Sequence, residues 1–357
     1  MMHIAFCTDT NYIMPAGVAM VSVCENNQDD EITFHLVITD EETAPDEVDK
    51  KVKPLVDIST KYNKNVNIYR LSGESLSSFV CKGVSYVSPT AFARIFLPEI
   101  LDSSITKVLY LDCDLVCDGS LKELWNTELK EDCPFGAVVD SEYASPTFHL
   151  NAEIPQHAKY VNSGVLLMNL LCWRKHNYVD LCVKVALEKK FPLLDQDLIN
   201  HLFYQVLLYL PVQYNVQLTA FLDGIHKKHI TLEYYSQIKE ACTKPVILHF
   251  ISANKPWKDE KCPLREIWDK YFNKSIWKGQ PLSPVMTRFD RSYIYDELQS
   301  AYWADASLFK SEAFAYTRLF KSAVKLKNKD KIMKAVSFML NCMSGILESV
   351  YKWKSRK

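Results

Sequence analysis

This chain reads as an α/β protein built on a mainly parallel, doubly wound sheet flanked by helices. Three observations carry that reading. Short apolar runs of strand length alternate with longer segments of helical character through the first third of the chain. Several of those runs end in an aspartate, at the carboxyl edge where parallel sheets gather ligands. The 357 residues, 48% hydrophobic and 24% charged, can bury a sizeable core and have the balance of an ordinary globular protein.

The elements follow in order. "HIAFCTD" (His3 to Asp9) is a buried strand that stops at an Asp, and Pro15 opens a helix-like segment running to about Asn26. "ITFHLVITD" (Ile32 to Asp40) is a second strand ending in Asp. A polar, charged helix is expected over Asp46 to Asn63, and "NVNIYRL" is a third strand. "PTAFARIFLPEIL" (Pro89 to Leu101) reads as helix and "KVLYLD" (Lys107 to Asp112) as a fourth strand. After Gly119 the pattern is mixed. Pro134 to Asp140 is a short strand, Tyr160 to Leu170 a strand with a polar start, and Leu193 to Tyr204 a helix with Asp195 as N-cap. Lys244 to Trp257 is a strand and the loop leaving it, and Asp118-Gly119 reads as a turn. A linker is expected around Gly279 to Pro284. It would divide a domain of residues 1–280 from a basic, aromatic-rich helical extension of residues 285–357.

A formal net charge of −1 gives no general attraction to nucleic acid. The charge is uneven, however: Lys310 to Lys357 holds twelve Lys/Arg against three acids. Basic residues interleaved with aromatics suit either an anionic membrane surface or a solvated helix face packed on the main domain. The eleven cysteines show no C-x-x-C spacing and several sit in apolar runs, so reduced thiols and a cytoplasmic setting are expected. "MMHIAFCTD" has neither a basic leader nor a small-residue cleavage site, and no apolar run is long enough to span a bilayer.

The chemistry centres on "KVLYLDCDLVCDG". Residues i and i+2 of a strand share a face, so Asp112 and Asp114 can close on one divalent cation while Cys113 points into the fold. An isolated D-x-D caps a turn about as often. Neither a G-x-G-x-x-G nor a P-loop pattern is present among only nine glycines, so a phosphate here would need a cation rather than a backbone cradle. His249 closes "VILHF", where a lone histidine is usually a packed core residue. Lys255 in the following "SANKPW" supplies a point charge suited to phosphate. Two carboxylates, an imidazole and diphosphate oxygens form a mixed O/N set that fits Mn²⁺ first and Mg²⁺ second.

Six stretches together resemble the retaining glycosyltransferases of family 8: "FCTDTNY", "PTAFARIFLPEIL", "KVLYLDCDLVCDGSLKELW", "YVNSGVLLMNL", "DQDLIN" and "HFISANKPW". The family includes bacterial lipopolysaccharide galactosyl- and glucosyltransferases and, more distantly, glycogenin. The resemblance covers roughly Met1 to Trp257. It implies a Rossmann-like nucleotide-sugar transferase fold of the GT-A type, a UDP-hexose donor, and Mn²⁺ held by Asp112, Asp114 and His249. It further implies that Thr8, Asp9, Asn11 and Tyr12 bind uracil and ribose, with Tyr12 stacking on the base and Cys7 in the same donor-binding set. Cys113 belongs to the same donor-binding set. Arg94 would reach the donor sugar or phosphate, and Lys255 the diphosphate. Asn162, Ser163 and Gly164 would line the sugar pocket with Asp140, Asp195 and Gln196. Two positions depart from the family pattern. Ser252 stands where relatives carry a glycine, which bears on backbone approach to the phosphate. Ser163 stands where alanine is common, which bears on the sugar pocket.

Retention would ordinarily need a covalent carboxylate intermediate. The residue that the resemblance places best is Gln196, an amide and a poor nucleophile, so front-face attack is expected, with Asp195 as the alternative nucleophile. The implied acceptor is a glycan or lipid-linked saccharide in lipopolysaccharide or other cell-surface glycan synthesis; a membrane-bound tail would place the cytoplasmic chain at the inner face of the cell membrane. Two rivals remain: a haloacid-dehalogenase-type phosphatase with Asp112 as nucleophile, and a non-catalytic nucleotide-sugar-binding protein.

Overall fold

A computed structural model describes residues 1–39, 45–71, 89–141, 146–189, 191–217, 232–251, 255–259, 262 and 264–282. All of them belong to one compact unit. Asp40, Ser252 and the extension expected over residues 285–357 lie outside the described residues. None of the described helices is long and apolar enough to cross a membrane.

The centre is a seven-stranded sheet in the order β3-β2-β1-β4-β7-β6-β8. Its strands are β1 (Met2–Thr8), β2 (Ile32–Ile38), β3 (Asn65–Arg70), β4 (Lys107–Leu111), β6 (Phe135–Val139), β7 (Val161–Asn169) and β8 (Leu208–Tyr209). β7 pairs antiparallel with both β4 and β6, and every other pairing is parallel, so β7 alone runs against the rest. This is the mainly parallel, helix-flanked sheet expected from the sequence. β2 is buried at all seven positions and β1 at six of seven. That is why these runs read as continuous apolar stretches rather than alternating ones. A second sheet, which the sequence pattern did not separate, joins β5 (Leu115–Cys117), β10 (Ile247–His249) and β9 (Val216–Gln217). Its three short strands lie 30 to 130 residues apart in the chain, below what periodicity resolves.

Helix Ile13–Asn26 packs almost wholly inside, with every residue from Pro15 to Cys24 buried. Gly17 meets the indole of Trp277 so closely that a Cβ there would collide with the ring. Asn26 then donates to the Cys117 carbonyl (2.8 Å) and to the Tyr271 hydroxyl (2.8 Å), tying this helix to the small sheet and to helix Arg265–Phe272. Asp118 takes part in the same junction: its side chain accepts from Tyr271 and from Lys270 (2.7 Å), while the chain bends at Gly119.

Two further expectations need correction. Pro89–Leu101 is not one α-helix but a 3₁₀ segment, Pro89–Phe96, followed by a short α-helix, Leu97–Ile100. In a continuous α-helix Pro98 could not donate to the Arg94 carbonyl and its ring would strike it, so the preceding turns tighten. Asp195 is not an N-cap. The helix runs Leu194–Phe203 with Leu193 at the cap, and the Leu193 N–H is accepted by Asp197 (2.7 Å).

Candidate metal and donor-sugar site

β1 and β4 are parallel neighbours, so their carboxyl ends open at the same edge. β4 stops at Leu111, and Asp112 to Asp114 form the link into β5 of the small sheet. The two aspartates therefore lie on a turn between sheets, not on a strand face as the i, i+2 argument assumed. β10 pairs antiparallel with β5 and sets His249 opposite Leu115, one residue past Asp114. One carboxylate oxygen from each aspartate and one ring nitrogen of His249 lie within 4.8 Å of one another. His249 Nε2 is 3.1 Å from Asp114 Oδ1 and 3.7 Å from Asp112 Oδ2.

Gly164 makes this approach possible. A Cβ at that position would run into the His249 ring and lie 2.8 Å from Asp112 Oδ2. The backbone N–H of Asp112 donates to the Gly164 carbonyl (2.8 Å), so the glycine also anchors the first aspartate. A hard carboxylate pair, an imidazole nitrogen and a cradle that only glycine leaves open fit a divalent cation.

The surroundings divide the two aspartates. Lys255, itself buried, pairs with Asp114 and donates to the Phe250 carbonyl (2.6 Å). Burial opposes ionisation of Asp114, but the Lys255 ammonium and His249 outweigh it and hold the carboxyl well below the usual carboxylate range. Asp112 accepts from the Tyr110 hydroxyl (2.5 Å) and pairs with Arg94 (3.0 Å). Arg94 is enclosed: it donates to Ala91 O (2.9 Å) and Ser163 O (2.7 Å), and it stacks on Tyr110 at 4.4 Å. Its guanidinium thus braces the site from behind.

Asp195 is the strained member of the set. Its Oδ2 is buried without a hydrogen bond, although Arg94 Nε lies 3.2 Å away, because the Nε proton goes to Ala91. Burial pushes the carboxyl up to about 6, with Arg94 pulling it back and Asp112 adding to the rise. Next to it, Gln196 Oε1 accepts from Ser163 N–H (3.1 Å) and from Asn162 Nδ2 (3.0 Å). Asn162 Nδ2 and Gln196 Nε2 also face Asp140 Oδ2 at 3.2 and 3.4 Å. Asp140, Asn162, Ser163, Gly164, Asp195 and Gln196 thus form one polar wall from β6, β7 and helix Leu194–Phe203.

The N-terminal motif reaches the same edge. Asp9 Oδ1 accepts the Asn11 N–H (2.8 Å), turning the chain so that Tyr12 lies edge-on to Trp257 at 5.8 Å. Burial, then the Asp114 charge, raises the Tyr12 phenol above its ordinary value. Thr8 ends β1 and is buried, whereas Asn11 is exposed, its N–H held by Asp9 within the turn. Cys7 and Cys113 are buried thiols, and Cys113 Sγ–H donates to the Cys7 carbonyl (3.4 Å), tying β1 to the aspartate link. Burial pushes Cys7 up to about 12, so neither thiol is a reactive group.

Four residues were missed from sequence: Tyr110, Asp197, Tyr160 and Asn215. Asp197 is fully buried and accepts from Tyr160 (2.6 Å) as well as from the Leu193 N–H. The second D-x-D in "LLDQDLIN" was the available signal for it. Asn215 contacts His249 and Asn162, 34 and 53 residues distant, and nothing in "QYNVQ" announces that.

Comparison with known proteins agrees with this architecture. A lipopolysaccharide 1,2-glucosyltransferase of Escherichia coli is 28% identical over 305 residues, 83% of this chain and 85% of that protein. General stress protein A of Bacillus subtilis is 28% identical over 78% of this chain and 96% of its own length. The crystal structure of the galactosyltransferase LgtC, in complex with donor and acceptor sugar analogues, superposes with a TM-score of 0.66 at 25% identity, covering 78% of this chain and 99% of that one. With its nucleotide-sugar transferase fold and a match to the family pattern over residues 3–261, the chain belongs to glycosyl transferase family 8.

Proposed function

We propose that this glycosyltransferase moves a hexose, glucose or galactose, from a UDP-sugar to a hydroxyl of a glycan or glycolipid, with Mn²⁺ and with retention of configuration. The observation that carries the reading is the convergence of Asp112, Asp114 and His249 at the carboxyl edge of β1 and β4. Family membership sets the phosphatase alternative aside. A complete ligand triad argues against a binding protein without catalysis.

Cleavage of the bond from the anomeric carbon to the diphosphate leaves extra negative charge on UDP. A divalent cation held by Asp112, Asp114 and His249 supplies electrostatic stabilisation of that charge. Lys255, buried against Asp114, would add a second positive charge to the same stabilisation. Each tenfold in rate needs about 1.4 kcal/mol. Tyr12 offers an aromatic face to the base. Asp140, Asn162 and Gln196 offer acceptors and donors to sugar hydroxyls.

The Gln196 carbonyl oxygen already accepts two hydrogen bonds, which makes it a still poorer nucleophile. The acceptor oxygen therefore attacks from the face that UDP leaves: the new carbon–oxygen bond forms as the carbon–phosphate-oxygen bond breaks. The acceptor proton passes to the departing phosphate. Incubation of the purified chain with UDP-glucose and UDP-galactose should release UDP with Mn²⁺ and lose at least 90% of that release in EDTA. Release unaffected by EDTA, or none from any UDP-hexose, sinks the proposal. A hexosylated Asp195 trapped by mass spectrometry would overturn the front-face step alone.

A further inference from the structure

Asn215 sits at the end of the 3₁₀ turn Val212–Tyr214 and is 1% exposed. Its place is defined by backbone groups whose hydrogen-bond direction is not in question. The Gly164 N–H can only donate, and it lies 3.0 Å from Asn162 Oδ1, so that atom is an acceptor. Asn215 Nδ2 lies 2.8 Å from the same oxygen and donates to it. The other end of the Asn215 amide is then its oxygen, 3.0 Å from His249 Nδ1. An oxygen facing Nδ1 requires a proton there. His249 consequently carries a hydrogen on Nδ1, so with an ion held between Asp112 and Asp114 it would be Nε2 that offers its lone pair there. The Ser163 N–H fixes the far end in the same way, since Gln196 Oε1 must accept from it and from Asn162 Nδ2.

We infer that Asn215 is a positioning residue for cation binding: through a hydrogen-bond chain rooted in the Gly164 N–H it sets the tautomer and ring orientation of His249. This rests on the reading that Asp112, Asp114 and His249 hold a divalent ion. Partners of this kind, one bond removed from the ligand, typically change metal affinity 10- to 100-fold when removed, because they fix the ring and raise its basicity. Gly164 limits the ring from one side by contact, and Asn215 fixes its rotation by a directed bond.

The test uses the full chain and Mn²⁺ alone, with binding read from the free-ion electron paramagnetic resonance signal. Asn215→Leu keeps the branched shape and removes the acceptor, and should weaken Mn²⁺ binding about 10- to 100-fold. Asn215→Asp keeps an acceptor opposite Nδ1 but sets its second oxygen against Asn162 Oδ1, so its affinity should fall between those of the native protein and Asn215→Leu. Asn215→Ala replaces the leucine variant if leucine is not accommodated, with far-ultraviolet circular dichroism reporting the fold. The decisive measurement is the double-mutant cycle. In a His249→Ala background the Asn215→Leu change should cost less than about twofold, since it has no ring left to orient. An undiminished loss in that background, or equal losses for Leu and Asp, overturns the inference while leaving the triad intact. No Mn²⁺ binding by the native chain removes the triad reading itself, and the inference with it.

Discussion

Asp195 shows how far a single carboxyl can be displaced by its surroundings. It is buried, one of its oxygens has no hydrogen bond, and its carboxyl is raised to about 6 from an ordinary 3.8. A raised carboxyl favours the protonated form in the folded chain. The native state is therefore most favoured below the unfolded value, and that benefit is lost as pH climbs through 6. The difference is worth about 3 kcal/mol. Urea unfolding of the native chain and of Asp195→Asn should show this directly. The native chain should gain most of that amount relative to the variant on going from pH 7.5 to 4. A constant difference across that range would mean the carboxyl is solvated. "LLDQDLIN" advertised Asp195 as a cap, because local sequence cannot show that Arg94, a hundred residues earlier, draws its carboxylate inward.

At the next level, the helix Ile13–Asn26 illustrates why segment type was readable while its packing was not. Its apolar content and position after a buried strand gave its existence and its end at Asn26. What its face meets came from the far end of the domain. Gly17 stands against Trp277, and Ile58 would lie 3.2 Å from an added Cβ. Alanine has the better helix propensity, by about 1 kcal/mol, but overpacking costs about 1–3. Gly17→Ala should accordingly lose up to about 2 kcal/mol in a urea melt. In a Trp277→Ala background the same change should become neutral or stabilising, and a penalty persisting there would place the strain elsewhere. The segment Pro89–Ile100 gives the opposite lesson. Its composition is helical, but Pro98 obstructs the Arg94 carbonyl, and the resulting 3₁₀ turns bring the Arg94 side chain to Asp112 and Ser163.

Across the domain, the candidate site exists only when two sheets have formed. Asp112 and Asp114 hang between β4 of the large sheet and β5 of the small one, and His249 arrives on β10, 135 residues after Asp114. An ion that binds all three binds only the folded chain, so its binding energy adds to global stability. At a Mn²⁺ concentration 100 times its dissociation constant the gain is about 2.7 kcal/mol. At roughly 2–4 °C per kcal/mol for a domain of this size, the melting temperature should rise by about 5–10 °C and return in EDTA. The His249→Ala variant should show little of that rise. An equal rise in the variant would locate the stabilising ion at another place.

The residue types that can hold a cation and a sugar diphosphate were present as short local signals: a paired aspartate after an apolar run, a histidine at a strand end, a lysine six residues later. Local order also implied parallel strands, because buried strands and amphipathic helices differ in period over a few residues. Which of these signals meet, and at what angle, was decided only by folding. The turn between two sheets set the aspartate pair, Gly164 admitted the imidazole, and Asn215 gave it a direction. Those contacts join residues dozens to more than a hundred positions apart, and hydrogen-bond direction is a property of three-dimensional neighbours that no spacing along a chain encodes.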